Sequence, residues 1–253
     1  MLSPLPPELL DLIVDHLRDE PIALKACCLI SKSWVHRTRR HIFADIKFDG
    51  FSTFIQSWMR AFPDPSNTPA HYARSLWICD FKLVTAAVTD ARSWVQSFRH
   101  LAHLGLSSHA ELNHSQDPLV PLQRLSPTLK SLYLQLYGTP PPEVFNLICS
   151  FPLLKDLRLA YFGGYDGINV WNTPTSPKFT GCLDLTGEVS SITRGLLNLP
   201  DGLHFSKIKV SCPYCHAESL TGLVSGCSDT LEDLFINFDS LPSAFRSAPI
   251  VDE

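Results

Sequence analysis

The sequence predicts an α/β protein in which an N-terminal unit of three helices precedes a solenoid of about seven strand-and-return repeats of 25–28 residues. Two observations carry this prediction. Apolar residues recur at the helical period across residues 9–17, and an apolar alternation recurs at a steady spacing between residues 73 and 238. The chain has 253 residues, of which 45% are apolar, and a formal net charge of -4. It is therefore long enough to bury a sizeable core, and it carries no excess of positive charge for binding nucleic acid.

Residues 1–48 are predicted to form the helical unit. Pro6 and Pro7 suit the first turn of a helix. The apolar stripe of this helix consists of Leu9, Leu10, Ile13, Val14 and Leu17. A second helix is predicted over residues 22–30, and a third carries Trp34 and ends in a basic run. Residues 49–71 are predicted to hold a helix over 51–62 followed by a proline-rich linker.

The repeat is identified by the pattern Leu-x-x-Leu-x-[Leu/Ile], which is the spacing of leucine-rich repeats. The pattern begins at Leu101, Leu129, Leu154 and Leu231, whereas the composition predicts about one occurrence by chance. Looser apolar versions begin at Ala73, Thr180 and Phe205. The central apolar residues of the seven units are Leu76, Leu104, Leu132, Leu157, Leu183, Ile208 and Leu234. Their regular spacing predicts a repeat architecture over residues 72–253.

Alternation around each central residue predicts a short strand with one face in the core, and the residues between strands return as short helices or turns. Stacked units build a parallel sheet on the concave side of a solenoid. Return helices are predicted over residues 143–149 and 218–224. The Asn or Cys expected after the third apolar position is not in register, so the repeat is an irregular one. Only 15 residues follow Phe238, which is short for a capping repeat and predicts truncation or closure against a partner.

The outward positions of the strands are candidates for binding a target protein. Those positions are Trp77, His103, Tyr133, Gln135, Arg158, Asp184, Lys207, Lys209, Phe235 and Asn237. Aromatic and arginine side chains are typical anchors of protein interfaces. The alternative is that some of these side chains pack against neighbouring repeats.

The first 48 residues resemble the F-box, a module that docks onto the Skp-type adaptor of cullin-based (SCF) ubiquitin ligases. The resemblance lies in Leu5-Pro6-x-Glu8-Leu9-Leu10-x-x-Ile13-x-x-x-Leu17, in Leu24-x-x-Cys27-Cys28-Leu29-Ile30-Ser31-Lys32-x-Trp34 and in a trailing segment over 37–43. It covers about a fifth of the chain. By this resemblance the adaptor contacts are Leu5, Pro6, Leu9, Ile13, Leu17, Leu24 and Cys28. An F-box followed by leucine-rich repeats is a common arrangement in that family.

The resemblance implies a non-catalytic subunit that recruits a target protein to a ubiquitin ligase. One alternative for the N-terminal unit is a helical cap that closes the end of the solenoid. The alternative for the whole chain is a leucine-rich-repeat scaffold without a ubiquitin role.

Catalytic, metal and cofactor sites are not predicted. Cys212-Pro213-Tyr214-Cys215-His216 looks like a thiol redox or haem-attachment motif, but only 38 residues follow Cys215, too few for a thioredoxin-like domain. A zinc site would need a second ligand pair, and none is suitably spaced. The longest apolar run, Ala26 to Ile30, is far too short for a membrane span, and no secretory signal is expected. The eight cysteines are expected to be reduced thiols in the cytosol or nucleus.

Overall fold

The computed structural model describes ten stretches of the chain. They are residues 6–49, 52–79, 97–107, 122–125, 127–137, 143–162, 179–188, 190–199, 201–212 and 217–237. The α-helices in these stretches are α1 Pro7–His16, α2 Pro21–Ile30, α3 Lys32–Ile42, α4 Ser52–Ala61, α5 Glu143–Cys149, α6 Ser190–Leu197 and α7 Ala217–Gly226. The strands are β1 Asp45–Phe48, β2 Ser75–Cys79, β3 His103–Ser107, β4 Ser131–Tyr137, β5 Asp156–Phe162, β6 Cys182–Gly187, β7 Lys207–Ser211 and β8 Asp233–Asn237.

The eight strands form one sheet in which their spatial order is their order along the chain, and every neighbouring pair is parallel. Parallel neighbours require the chain to cross back after each strand. Helices α5, α6 and α7 lie in three of these return segments. The prediction of an α/β fold with a parallel sheet is therefore confirmed.

The seven predicted central residues lie in β2 to β8 and pair directly with one another from strand to strand. Together with Ile46 of β1 they form the first core row, which is Ile46, Leu76, Leu104, Leu132, Leu157, Leu183, Ile208 and Leu234. A second core row lies two residues further along each strand: Phe48, Ile78, Leu106, Leu134, Leu159, Leu185, Val210 and Ile236. All residues of both rows on β1 to β7 are buried.

Two details of the repeat differ from the sequence prediction. Strand β1 lies inside the segment assigned to the helical unit, and its Asp45-Ile46-Lys47-Phe48 alternation of exposed and buried residues is that of a strand. In the repeat that contains β6, Thr180 was predicted at the first apolar position. Thr180 is exposed, and the adjacent Phe179 is buried in its place. Phe179 stacks on Phe205 of the next unit, with ring centroids 5.4 Å apart, so the larger aromatic ring fills the apolar position.

A repeated hydrogen bond joins the starts of the strands. The carbonyl oxygen of Ala44 accepts from the backbone N–H groups of Arg74 and Ser75, at 2.7 and 3.0 Å. The carbonyl oxygen of Arg74 accepts in the same way from Ala102 and His103, at 2.7 and 2.9 Å. The carbonyl groups of Ala102, Lys130, Gly181 and Ser206 repeat the arrangement. Six of the seven neighbouring strand pairs therefore begin with the same backbone geometry, which satisfies polar groups that would otherwise be buried without a partner.

The segment predicted to contain a linker packs against the sheet. Trp58 of α4 makes edge contacts with Phe43 and Phe48, at 6.1 and 5.7 Å between ring centroids, and lies beside Phe62 and Phe98. Further along, the short 3-10 turn Pro69–Tyr72 buries Pro69 and Ala70 completely or nearly so. Trp58, Met59 and Ala70 thus pack with the core of the sheet, whereas Pro63 and Asp64 between them are exposed.

Helices α1, α2 and α3 occupy the segments predicted to be helical. Their small interior contains Val14, Leu24, Cys27 and Thr38, which are all buried. Asp15 of α1 accepts from Arg37 of α3 through both carboxylate oxygens, with Nε to Oδ1 at 2.7 Å. These charged hydrogen bonds join the first helix to the third, since so small an interior contributes little apolar burial.

Helix α3 also contacts the sheet region. Tyr72 Oη and His36 Nδ1 share a hydrogen bond of 2.9 Å, and their rings meet edge to face. Only two residues, Phe43 and Ala44, separate the end of α3 from β1. The helices are therefore joined to the sheet without an intervening linker in this part of the chain.

Replacing Leu132 with alanine tests the importance of the first core row. Leu132 is fully buried at the middle of the sheet, so Leu132→Ala should lower the free energy of unfolding by about 2–5 kcal/mol. Leu153→Ala is the matched control, because Leu153 is 53% exposed, and it should change that free energy by about 0.5 kcal/mol or less. Urea denaturation measures both. Equal losses in the two variants would contradict the assigned core.

The Asp15–Arg37 pair predicts a pH-dependent contribution to stability. The hydrogen bond from Arg37 lowers the pKa of Asp15 to about 2, with a smaller contribution from His41 and against the opposing effect of burial. Because the folded pKa lies below the unfolded value of about 3.9, the stabilisation is present above about pH 4 and is lost as the pH falls toward 2.

Asp15→Asn should therefore be less stable than the wild type by a constant amount between about pH 5 and 7, and the difference should shrink below about pH 4. Thermal denaturation across this pH range measures the difference. Asp19→Asn is the control, since Asp19 belongs to an exposed pair with Arg18, and it should have little effect at any of these pH values. A difference for Asp15→Asn that persists unchanged to about pH 2 would argue against the pair.

Candidate functional sites: an apolar helical surface and the open face of the sheet

Two helices expose large apolar side chains. On α1 these are Leu9, Leu12 and Ile13, which share one helical face because they are three and four residues apart. On α2 they are Ile22, Leu29 and Ile30, and Leu29 is 89% exposed. We name these six residues the helical apolar surface. Isolated exposed leucines are ordinary, but three large apolar residues on each of two short helices favour binding of another protein.

The residues that the F-box resemblance assigns to the adaptor have different environments. Pro6, Leu9 and Ile13 are exposed, and Leu17 and Cys28 are partly exposed. Leu24 is only 1% exposed in the chain alone, so it packs among the helices, and its assignment as an adaptor contact stays a prediction. Leu5 lies outside the described residues.

Sequence reasoning did not assign Leu12, Ile22, Leu29 or Ile30 to this surface. Leu12 could have been found from its position three residues after Leu9. Apart from Lys25, α2 has apolar residues on nearly every side, so spacing alone does not show whether Leu24 or the three exposed residues face the interior. Which of its faces is covered depends on how α3 packs against it.

The second candidate site is the sheet face opposite the core rows. Its central row has one residue from each strand, all paired in register: Lys47, Trp77, Gly105, Tyr133, Arg158, Asp184, Lys209 and Phe235. Six of the ten predicted target-binding residues belong to this central row. His103 and Lys207 lie two residues before it on their strands, and Gln135 and Asn237 lie two residues after it. All ten therefore lie on the same face of the sheet.

Trp77 and Tyr133 form an aromatic platform across β3. Their ring centroids are 4.9 Å apart with an interplanar angle of 28°. Gly105 lies between them in the central row, and a Cβ atom on it would be 2.1 Å from Cε3 of Trp77. The glycine is required because the indole ring covers its backbone. Sequence reasoning missed Gly105, although a glycine between two aromatic residues in one row was a detectable signal.

A line of hydrogen bonds runs along β4 beside this platform. Ser107 Oγ and Tyr133 Oη donate to Oε1 of Gln135, at 3.4 and 3.5 Å, and Gln135 Nε2 donates to Tyr137 Oη at 3.2 Å. Burial raises the pKa of Tyr133, so its hydroxyl is neutral at physiological pH and can donate. The amide of Gln135 is thereby fixed between two tyrosine hydroxyls, which makes this part of the face preorganised.

Charges of alternating sign follow the platform in the central row. Arg158, Asp184 and Lys209 lie directly opposite one another on β5, β6 and β7. Within the described part of the chain, none of the three forms an ion pair, whereas Lys207 binds Asp233 at 2.7 Å and Lys47 binds Asp49 at 2.8 Å. These three charges remain available to a partner.

A cavity of about 380 Å³ lies between β1 and α4. Apolar side chains provide most of its lining, including Phe43, Trp58 and Phe62. It has space for an apolar side chain, and Asp45, Lys47 and Ser57 are its polar lining residues.

The described residues contain no group of three or more His, Cys, Asp or Glu side chains that could hold a metal ion. Cys212, the first cysteine of the motif at 212–216, is 1% exposed, and Cys215 and His216 lie outside the described residues. Burial raises the pKa of the Cys149 thiol to about 11, so it remains protonated at neutral pH and is a poor nucleophile. Among the helices that the structure describes, none combines the length and apolarity needed to cross a bilayer.

Adding a Cβ atom at Gly105 tests the aromatic platform. Gly105→Ala should destabilise the wild-type protein, because the methyl group displaces the Trp77 ring from Tyr133. In a Trp77→Ala background the clash is absent, and the same substitution should be neutral or stabilising by up to about 1 kcal/mol, since glycine weakens a strand. Urea denaturation of the four proteins measures this cycle. Equal effects in both backgrounds would contradict the contact.

Comparison of the chain with protein-family models, with curated proteins and with solved structures found no match.

Proposed function

We propose that this chain is a substrate-recognition subunit of a cullin-type ubiquitin ligase. In this proposal residues 1–48 are an F-box module that docks onto the Skp-type adaptor, and the repeats form an irregular leucine-rich-repeat solenoid that binds a target protein. The observation that carries the proposal is the pair of exposed apolar faces on α1 and α2, within the segment that resembles the F-box.

The helical apolar surface supports docking of a protein rather than a purely structural cap. A cap that closed the sheet would bury these apolar side chains against it. Instead Leu12 is 63% exposed and Ile22 is 84% exposed, while the helices contact the sheet region through α3. Burial of large apolar side chains at an interface is the main source of binding free energy.

The repeats support the second half of the proposal. Seven central residues at a spacing of 25–28 residues pair in register, and the strand starts share one hydrogen-bonding arrangement. This combination is typical of proteins built by stacking one unit repeatedly, which present an extended surface. The surface proposed for the target is the face that carries the central row, where Trp77 and Tyr133 are half-buried aromatic anchors.

The proposed mechanism requires no chemistry from this chain. A bound target would be held near a ubiquitin-charged enzyme that the ligase complex supplies, and proximity raises the effective concentration of the two reactants. The residues of the central row would fix which target is held, and the helical apolar surface would fix where the subunit attaches.

Binding of the purified chain to a Skp-type adaptor tests the proposal. Leu12→Asp and Leu29→Asp each place a charge on the helical apolar surface, and each should weaken adaptor binding by about tenfold or more in a calorimetric titration. Leu153→Asp is the matched control, because Leu153 is exposed outside the helical unit, and it should bind as the wild type does.

Circular dichroism establishes that the variants are folded. A folded wild-type chain that does not bind the adaptor would overturn the ligase proposal and favour a repeat scaffold without a ubiquitin role. Equal weakening by Leu153→Asp would show that the effect does not come from the helical apolar surface.

A further inference from the structure

We propose that the central row binds an α-helix of the target protein, laid across the strands, with an acidic, a basic and an acidic residue facing Arg158, Asp184 and Lys209 in that order. This inference rests on the proposed function in taking the open sheet face as the target-binding surface. It adds the shape and charge pattern of the segment that is bound.

The spacing of the three charges matches a helix. Adjacent strands are about 4.8 Å apart, so the register places the backbone of Lys209 about 9.6 Å from that of Arg158, with Asp184 midway. Residues i and i+7 of an α-helix lie on the same face about 10.5 Å apart, and residue i+3 or i+4 lies between them. In an extended segment, residues on one face recur about every 6.7 Å, so the available spacings are about 6.7 and 13.4 Å. Neither spacing matches the distance of about 4.8 Å from Arg158 to Asp184 or of about 9.6 Å from Arg158 to Lys209.

The aromatic residues at both ends of the charges extend this match. Tyr133 lies one strand before Arg158, and Phe235 lies one strand after Lys209 and is 56% exposed. Four strand spacings, about 19 Å, separate Tyr133 from Phe235. Fourteen residues of helix span about 21 Å, so apolar residues one turn outside the acidic pair would reach both aromatic rings.

The electrostatics favour one order of charges in the bound helix. Arg158, Asp184 and Lys209 have no ion-pair partner within the described residues, so a complementary helix need not displace an existing pair. A helix with the opposite signs, basic then acidic then basic, would place like charges against each of the three. Such contacts are repulsive, which gives selectivity between partners of similar shape.

Designed helical peptides test the inference on the full chain. The first probe has Leu at positions 1 and 15, Glu at 4 and 11, Lys at 8, and Ala and Gln elsewhere. The second is identical except that Lys occupies 4 and 11 and Glu occupies 8. Fluorescence anisotropy at about 50 mM salt should show the first probe binding about tenfold more tightly, and the ratio should fall toward one at about 1 M salt.

Charge reversal in the protein provides the decisive comparison. The triple variant Arg158→Glu/Asp184→Lys/Lys209→Glu should prefer the second probe. The control Arg194→Glu changes an exposed cation of α6, outside the central row and the ten predicted target-binding residues, and it should keep the wild-type preference. Equal binding of the two probes by the wild type, no binding of either, or an unchanged preference in the triple variant would overturn the inference.

Adaptor binding, measured on the same preparations, separates this inference from the proposed function. If the chain binds the adaptor and shows no probe preference, the ligase proposal stands and the proposal of a helix-binding central row is overturned. A chain that shows the reversal and does not bind the adaptor retains the helix-binding row, and the ligase assignment is then the part that fails.

Discussion

The structure depends on keeping one register across eight strands. The return segments differ in sequence, and their described parts include helices and 3-10 turns. Each nevertheless brings its strand back so that one leucine or isoleucine lies opposite the last. A slip of one residue would turn an entire strand's apolar side chains to the wrong face. The shared carbonyl acceptors at the strand starts stabilise this register through the backbone, independently of side-chain identity.

This constraint explains which parts of the fold could be predicted. The core positions of β2 to β7 were predicted to the residue because burial requires an apolar side chain at each of them, and the requirement recurs at a steady spacing. Strand β1 was missed because its alternation covers only four residues and directly follows a basic helix. The first apolar position of the β6 repeat was predicted one residue too late, at Thr180 and not at Phe179. Before a strand the backbone is irregular, so the distance from this position to the strand can differ by one residue between repeats.

The candidate sites were predicted less completely, for a different physical reason. Strand alternation separates the two faces of a sheet, so all ten outward residues could be listed from sequence. A short helix that is apolar on most sides has no such separation: Leu24 and Leu29 both belong to α2, yet Leu24 is buried and Leu29 is 89% exposed. Their difference arises from the neighbouring helices. Gly105 acts through the ring above it, and its trace in the sequence is its place between two aromatic residues of the same row.

The short connection between α3 and β1 determines how the two candidate surfaces are coupled. Two residues join the elements, and the hydrogen bond between His36 and Tyr72 fixes them at a second point. A partner on the helices and a partner on the sheet would therefore be held at a fixed distance and in a fixed relative orientation. Each residue added to the end of α3 would rotate the helical unit by about 100° relative to the sheet. The connection therefore determines the orientation in which a target is presented, and the affinity of each surface is a separate matter. Only those sites on a bound target that face the right direction would come within reach.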